Sequence, residues 1–206
     1  MARKAGTHTA GRGGGAWRWS RTAHTRRVLL EAAREVFTEK GFAEAGVADV
    51  VERAQSSVGS LYHHFGGKTE LFLALWEDQQ AADEEQASGA VARARAAGEE
   101  DPVELFIAGA RAFLEGSWQR RGVGLLLLTG DGPPGFDVLR RGRSREWVRQ
   151  NAVLLQAGES AEERLAVSVL TAAIGEARRE IVVAESAEEA ERITEAAIGL
   201  IRRLSA

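Results

Sequence analysis

Ser57, Val58, Gly59, Ser60, Tyr62, His63, His64 and Lys68 put hydroxyls, imidazoles and an ammonium into one short stretch. Donors of this kind bond phosphate oxygens, and small side chains beside a glycine let a helix come close to base edges. The chemistry they offer is contact with nucleic acid. Val58 offers apolar contact, best with a thymine methyl. Gly59 allows close backbone approach, and Ser60 donates or accepts. The segment holds no Arg or Asn for bidentate readout, so its base code is modest and DNA shape contributes. Neighbouring residues do not share a helical face, so His63 and His64 do not form a metal pair. Gly66-Gly67-Lys68-Thr69 ends like a phosphate-binding loop, but the glycine that loop requires five residues before Gly67 is Tyr62.

Two short helices must position these groups. Val47, Val50, Val51 and Ala54 recur at three- and four-residue steps, one face of a helix of about two turns. Gln55, Ser56 and Ser57 break the pattern, and Ser57 is a good N-cap. Leu61 and Phe65, four apart, then turn inward and leave Val58, Gly59, Tyr62 and His63 facing elsewhere. Two helices joined by such a turn are a helix-turn-helix, whose second helix fits a major groove.

At this point the chain resembles the N-terminal domain of the TetR family of bacterial transcriptional regulators. The matching residues are Thr25-Arg26, Leu29-Leu30, Ala32-Ala33, Val36-Phe37, Glu39, Gly41-Phe42, Val47, Asp49-Val50, Arg53-Ala54, Ser57, Gly59, Leu61 to Phe65 and Lys68. The resemblance implies phosphate contacts from Thr25, Arg26, Tyr62 and His64, a groove-facing His63, and a Lys68 that opens the fourth helix and bonds a phosphate. Three positions depart from the family pattern. Gln55 stands where the family has Gly in the turn, and Ser56 where it has an apolar residue. Ala45-Gly46 replaces a Thr or Ser that would cap the helix, which removes one hydroxyl from the DNA side.

Composition bounds the rest. The chain has 206 residues, few prolines, no cysteine and a net charge of -3. Disulfides and cysteine metal sites are excluded. No apolar run is long enough to span a bilayer, and no leader peptide is legible, so a cytoplasmic location is expected. The charge is unevenly spread: +5 through Lys68 and -8 beyond it. A basic head on an acidic body suits a protein that touches DNA with one end.

The expected fold class is all-α, about nine helices in three parts. Residues 1–19 read as a flexible basic arm containing Trp17 and Trp19. Residues 20–67 read as the three-helix DNA-binding domain, with a first helix from about Ser20 to Lys40 ended by Gly41. Residues 68–206 read as a ligand-binding and dimerisation domain. In it a helix runs from Lys68 to about Val91, and Asp101-Pro102 opens the next, with Asp as N-cap and Pro in the first turn. Gly122 to Thr129 is a short buried helix. A basic helix spans Phe136 to Leu155. Capping boxes Ser160/Glu163 and Ser186/Glu189 open the last two helices.

The last two helices carry wide apolar faces with small residues between them, the pattern of a homodimer interface; the family resemblance implies the same. Candidate lining of an apolar, aromatic ligand cavity is Phe106, Phe113, Trp118, Leu127, Phe136 and Trp147, with Glu176 as a polar contact. No triad spacing, metal cluster or cofactor motif is present, so no enzyme and no cofactor are expected. The expected protein is a dimeric regulator, a repressor released from a palindromic double-stranded operator by a small molecule.

Overall fold

In the computed structural model, backbone is described for residues 13–128 and 132–205, and side chains from residue 22 onward. Nine helices form among the described residues: α1 (Gly13–Glu44), α2 (Val47–Arg53), α3 (Val58–Phe65), α4 (Lys68–Ala96), α5 (Pro102–Gln119), α6 (Arg121–Leu128), α7 (Phe136–Leu154), α8 (Ala161–Val183) and α9 (Ala187–Ser205). The all-α architecture is the one expected from the sequence. α1 starts at Gly13, well ahead of Ser20, and α4 extends past Val91 to Ala96. The remainder of the expected arm, residues 1–12, lies outside the described residues, as do the side chains of Trp17 and Trp19.

Local chemistry sets most of the boundaries. Gly41 adopts φ 75 and breaks the α1 ladder, after which Phe42 turns back onto Phe37 and Phe72. Asp101 accepts the Val103 N–H at 2.8 Å, with Pro102 in the first turn. The Ser160 hydroxyl accepts the Glu163 N–H, and the Glu163 carboxylate accepts that of Ser160 in return. At α9 only half of the box forms. Ser186 accepts the Glu189 N–H, but the Glu189 carboxylate reaches the Glu185 N–H instead.

Two hydrophobic cores result. The first joins α1 to α4 and is centred on Leu29, Phe37, Leu61, Phe72 and Leu75; α6 and Phe136 enter it through Val123, Leu126 and Leu127. The second joins α5, α8 and α9 around Phe106, Leu114, Ile181, Ile198 and Ile201. The N-terminal helices and the body therefore share packing at α6. There Gly124 lies so close to Val182 of α8 that a Cβ would sit 2.8 Å from it. The outward faces of α8 and α9 keep apolar groups in solvent: Leu165 is 64% exposed, Val169 42%, Leu200 41% and Leu204 51%.

The turn between α2 and α3 carries local strain. Gln55 sits at φ 48, the left-handed region that an L side chain occupies at a cost of about 1–2 kcal/mol. This is the position where the sequence departs from a glycine. Replacing Gln55 with Gly should raise the unfolding free energy by roughly 1 kcal/mol, less the extra freedom glycine gains in the unfolded chain. Urea denaturation would measure it, and a destabilised Q55G variant would contradict the strain.

Candidate nucleic-acid interface and effector cavity

α3 is anchored from beneath and open above. Leu61 is fully buried, and Arg26 of α1 lies over the Phe65 ring at 5.0 Å. Ser57 caps the helix by accepting the Ser60 N–H at 3.1 Å, and Gly66 closes it at φ 92. The outer face holds Val58, 48% exposed, Tyr62, 53% exposed, and the exposed Gly59 and His63. A Cβ added at Gly59 would meet nothing within 4 Å, so no packing within the chain requires glycine there.

α2 packs on α1 through the buried Val50 and Val51, and charge adds to it. Arg53 donates to Glu35 at 2.8 Å and to both oxygens of Glu39, which holds the Glu39 carboxyl below its ordinary range. No side chain replaces the missing hydroxyl before α2, but the N-cap N–H is satisfied. Asp49 accepts the Gly46 N–H at 2.9 Å and pairs with Lys40 at 2.9 Å.

The structure thus gathers Ser57, Val58, Gly59, Ser60, Tyr62, His63 and His64 on one short helix, with Arg26 beside its C-terminal end. Thr25 is half-buried on α1. Lys68 opens α4, as expected, and is also engaged within the chain. Its ammonium donates to the carbonyls of Ala43 at 3.0 Å and Ala45 at 2.7 Å, and it lies over the Phe42 ring. It fastens the α1–α2 corner to α4, so two of its three donors are already used. The corner attracts it because the interrupted ladder at Gly41 frees carbonyls there.

His64 is half-buried, and the first cause of its lowered pKa is desolvation; the neighbouring His63 and Arg26 add to it. Depressed from 6.5, it is neutral in the folded protein at pH 7. The unfolded chain takes up this proton first as pH falls. The contribution is therefore fully present above the unfolded value and is lost as pH drops through the folded one. Thermal unfolding of the wild type should move to lower temperature as pH falls through and below 6.5, and His64→Asn should flatten that slope. An unchanged slope in H64N would assign the acid sensitivity elsewhere.

Between α4, α5, α7 and α8 lies a cavity of about 660 Å³. Of the sequence candidates, Phe106, Phe113, Leu127, Trp147 and Glu176 line it. Phe136 does not: it is buried in the first core, edge-on to Phe72 and Trp76. Trp118 does not either, because its ring packs on the second core with Arg121 stacked over it at 4.0 Å. An aromatic position on a helix announces burial, and here two cores compete with the cavity for it. Trp76 of α4 does line the cavity.

Beyond Glu176, the polar lining lies outside the sequence candidates. Arg140, Arg143, Arg178 and Arg179 line the cavity alongside Asn151 and Thr171, which bond to each other at 3.0 Å. Arg143 pairs with Glu84 of α4 at 2.8 Å and reaches Gln80. Arg178 pairs with Asp83 of α4 at 3.0 Å, and Asp83 is fully buried between it and Arg120 at 2.9 Å. Gln79 donates to the same Asp83 carboxylate at 2.7 Å. A signal existed in the spacing. Leu71, Leu75, Gln79 and Asp83 follow one another at four-residue steps, so the last two continue a buried stripe. Among the described residues no group of His, Asp and Glu could hold a metal ion, and no helix is long and apolar enough to cross a membrane.

Comparison with known proteins agrees with this layout. The family model described as "Bacterial regulatory proteins, tetR family" matches residues 29–75. The HTH-type transcriptional repressor AcnR of Corynebacterium efficiens is 41% identical over 58 residues, 28% of this chain and 31% of that protein. The HTH-type transcriptional regulator BetI 1 of Chromohalobacter salexigens is 35% identical over 100 residues, 46% of this chain and 43% of that protein. The chain thus spans less than half the length of either relative. The crystal structure of a TetR-like transcriptional regulator from Rhodococcus sp. RHA1 matches with a TM-score of 0.68 at 21% identity, covering 88% of this chain and 93% of that one.

Proposed function

We propose that this chain, a TetR-type DNA-binding regulator by its head sequence and its fold, is a homodimeric repressor released from a palindromic operator by a small molecule. The observation that carries the reading is α3: a helix seated on a buried Leu61, with Val58, Gly59, Tyr62 and His63 turned to solvent. Val58, Gly59 and Ser60 meet base edges, while Ser57, Tyr62, His64, Thr25 and Arg26 meet phosphates. Lys68 contributes its remaining donor, together with its role as a brace.

The exposed apolar stripes of α8 and α9 support a four-helix contact with a second copy. A two-fold dimer presents two recognition helices to half-sites about one helical turn apart. The effector enters the cavity walled by α4, whose first residues touch the head. A ligand that favours the conformation with the wrong helix spacing lowers operator affinity by the ratio of its affinities for the two states.

The test is fluorescence anisotropy with duplexes selected from a random library, measured across a salt series. The expected result is a two-fold symmetric consensus, bound with a steep salt dependence. Gly59→Ala should separate the two roles of α3. It stabilises the helix by about 0.5–1 kcal/mol because nothing in the chain meets the methyl, yet it weakens operator binding. A chain that enriches no sequence overturns the reading.

A further inference from the structure

The effector cavity holds more positive charge than an apolar ligand needs. Its lining brings together the guanidinium groups of Arg140, Arg143, Arg178 and Arg179, with the exposed Arg95 of α4 as a fifth, against the carboxylates of Glu84 and Glu176. Three of the five arginines have acid partners: Arg143 has Glu84, Arg178 has Asp83, and Arg179 has Glu176; of the other two, Arg95 is exposed and Arg140 is half-buried. Arg140 has no carboxylate among the described residues. Its Nη1 donates to the carbonyls of Leu127 at 3.3 Å and Leu128 at 3.0 Å, the last turn of α6. A guanidinium has five N–H donors, and both of these bonds come from one nitrogen.

Arg140 and Arg143 are three apart on α7, so they neighbour each other on one helix face, and both line the cavity. Arg143 also stacks over Trp147 at 5.4 Å, and Arg178 over Phe113 at 5.2 Å. The site therefore has aromatic walls and a two-guanidinium corner. Planar forks of this kind match a carboxylate with paired hydrogen bonds.

We propose that the effector is an amphipathic carboxylic acid, its carboxylate held by Arg140 and Arg143 and its apolar body lying among Trp76, Phe106, Phe113 and Trp147. This rests on the reading of the cavity as the effector site. It also supplies the coupling to α4. The ligand carboxylate competes with Glu84 for Arg143. Glu84 has a side chain 46% exposed and can swing into water, whereas the Asp83 pair with Arg178 is fully buried on the carboxylate side and stays in place. Occupancy therefore exchanges an α7–α4 bond for an α7–ligand bond.

The test uses the full chain and two matched sets of probes. One set is 4-phenylbutyrate, 4-phenyl-1-butanol and 4-phenylbutylamine; the other is decanoate, 1-decanol and decylamine. Calorimetric titration and Trp fluorescence should show at least one acid binding with a Kd below about 1 mM and about tenfold tighter than its alcohol, with the amine weakest. Arg140→Gln should lose that tenfold preference while leaving alcohol binding unchanged. Arg140→Lys, which keeps the charge but not the fork, should recover part of it. Glu84→Gln, which removes the competitor, should tighten acid binding a few-fold.

If no acid binds below about 1 mM, or alcohols bind as tightly as acids, the acid-head assignment is wrong. An R140Q variant that weakens acid and alcohol alike would make Arg140 a cap for α6 only and would also overturn it. Operator binding by the ligand-free chain is measured in parallel. Its loss would defeat the regulator reading; its presence with any of the negative ligand results would defeat the carboxylate proposal alone.

Discussion

Asp83→Ala should lower the unfolding free energy by about 3–5 kcal/mol, the cost of breaking a buried ion pair from one side. Asp83 is wholly buried in α4 and faces two guanidinium groups, Arg120 at the end of α5 and Arg178 in α8. Their side chains are only 25% and 11% exposed, so water makes up little of the lost pairing. Removing Asp83 leaves two cations facing each other and frees Gln79 as well. For a chain of this size the melting temperature should fall by roughly 10 °C. Replacing the whole group with apolar side chains of similar volume (Asp83→Leu, Arg120→Met and Arg178→Met together) should recover much of the loss. A D83A variant within about 1 kcal/mol of wild type would show that the clip contributes little to folding.

Val169→Asp should dissociate the proposed dimer while leaving the protomer fold nearly unchanged. Val169 is 42% exposed in the protomer, on the face of α8 that also carries Leu165, so little packing within the chain depends on it. In a two-fold interface the substitution occurs twice and places two carboxylates in a desolvated contact. Sedimentation equilibrium should then report monomers at concentrations where the wild type is dimeric. Operator affinity should fall roughly 10²-fold or more, because the second half-site is no longer delivered by the first. A V169D variant that stays dimeric would place the interface on another face.

These two predictions also mark what could be read before the structure. The capped helix starts were legible because a cap is local chemistry: Asp101 before Pro102, and Ser160 three residues before Glu163, need only their own backbone. The head was legible because Leu61, Phe65 and the turn residues follow a strict spacing. Asp83 was not, because an acid in an acidic, alanine-rich stretch looks like a solvated face unless its four-residue step from Leu75 and Gln79 is followed. Arg140 and Arg143 were hidden for the same reason, in a basic helix whose inward side is set by α4 and α8. Phe136 and Trp118 were misassigned because helical periodicity marks the inward side without distinguishing a packed core from a cavity wall. The bracing role of Lys68 was hidden because its partners are main-chain carbonyls more than twenty positions away, which no side-chain pattern reveals.

α4 is 29 residues long, and Asp83 lies near its middle. About 22 Å of continuous helix separates that buried attachment from Lys68, where the rod meets the head. A see-saw pinned at that point converts rotation into translation: a tilt of about 5° at the fulcrum displaces the far tip by roughly 2 Å. In the proposed dimer, with one such arm in each subunit, the two displacements would combine, and a change smaller than one side chain in the cavity would put both reading heads out of step with a helical turn of DNA.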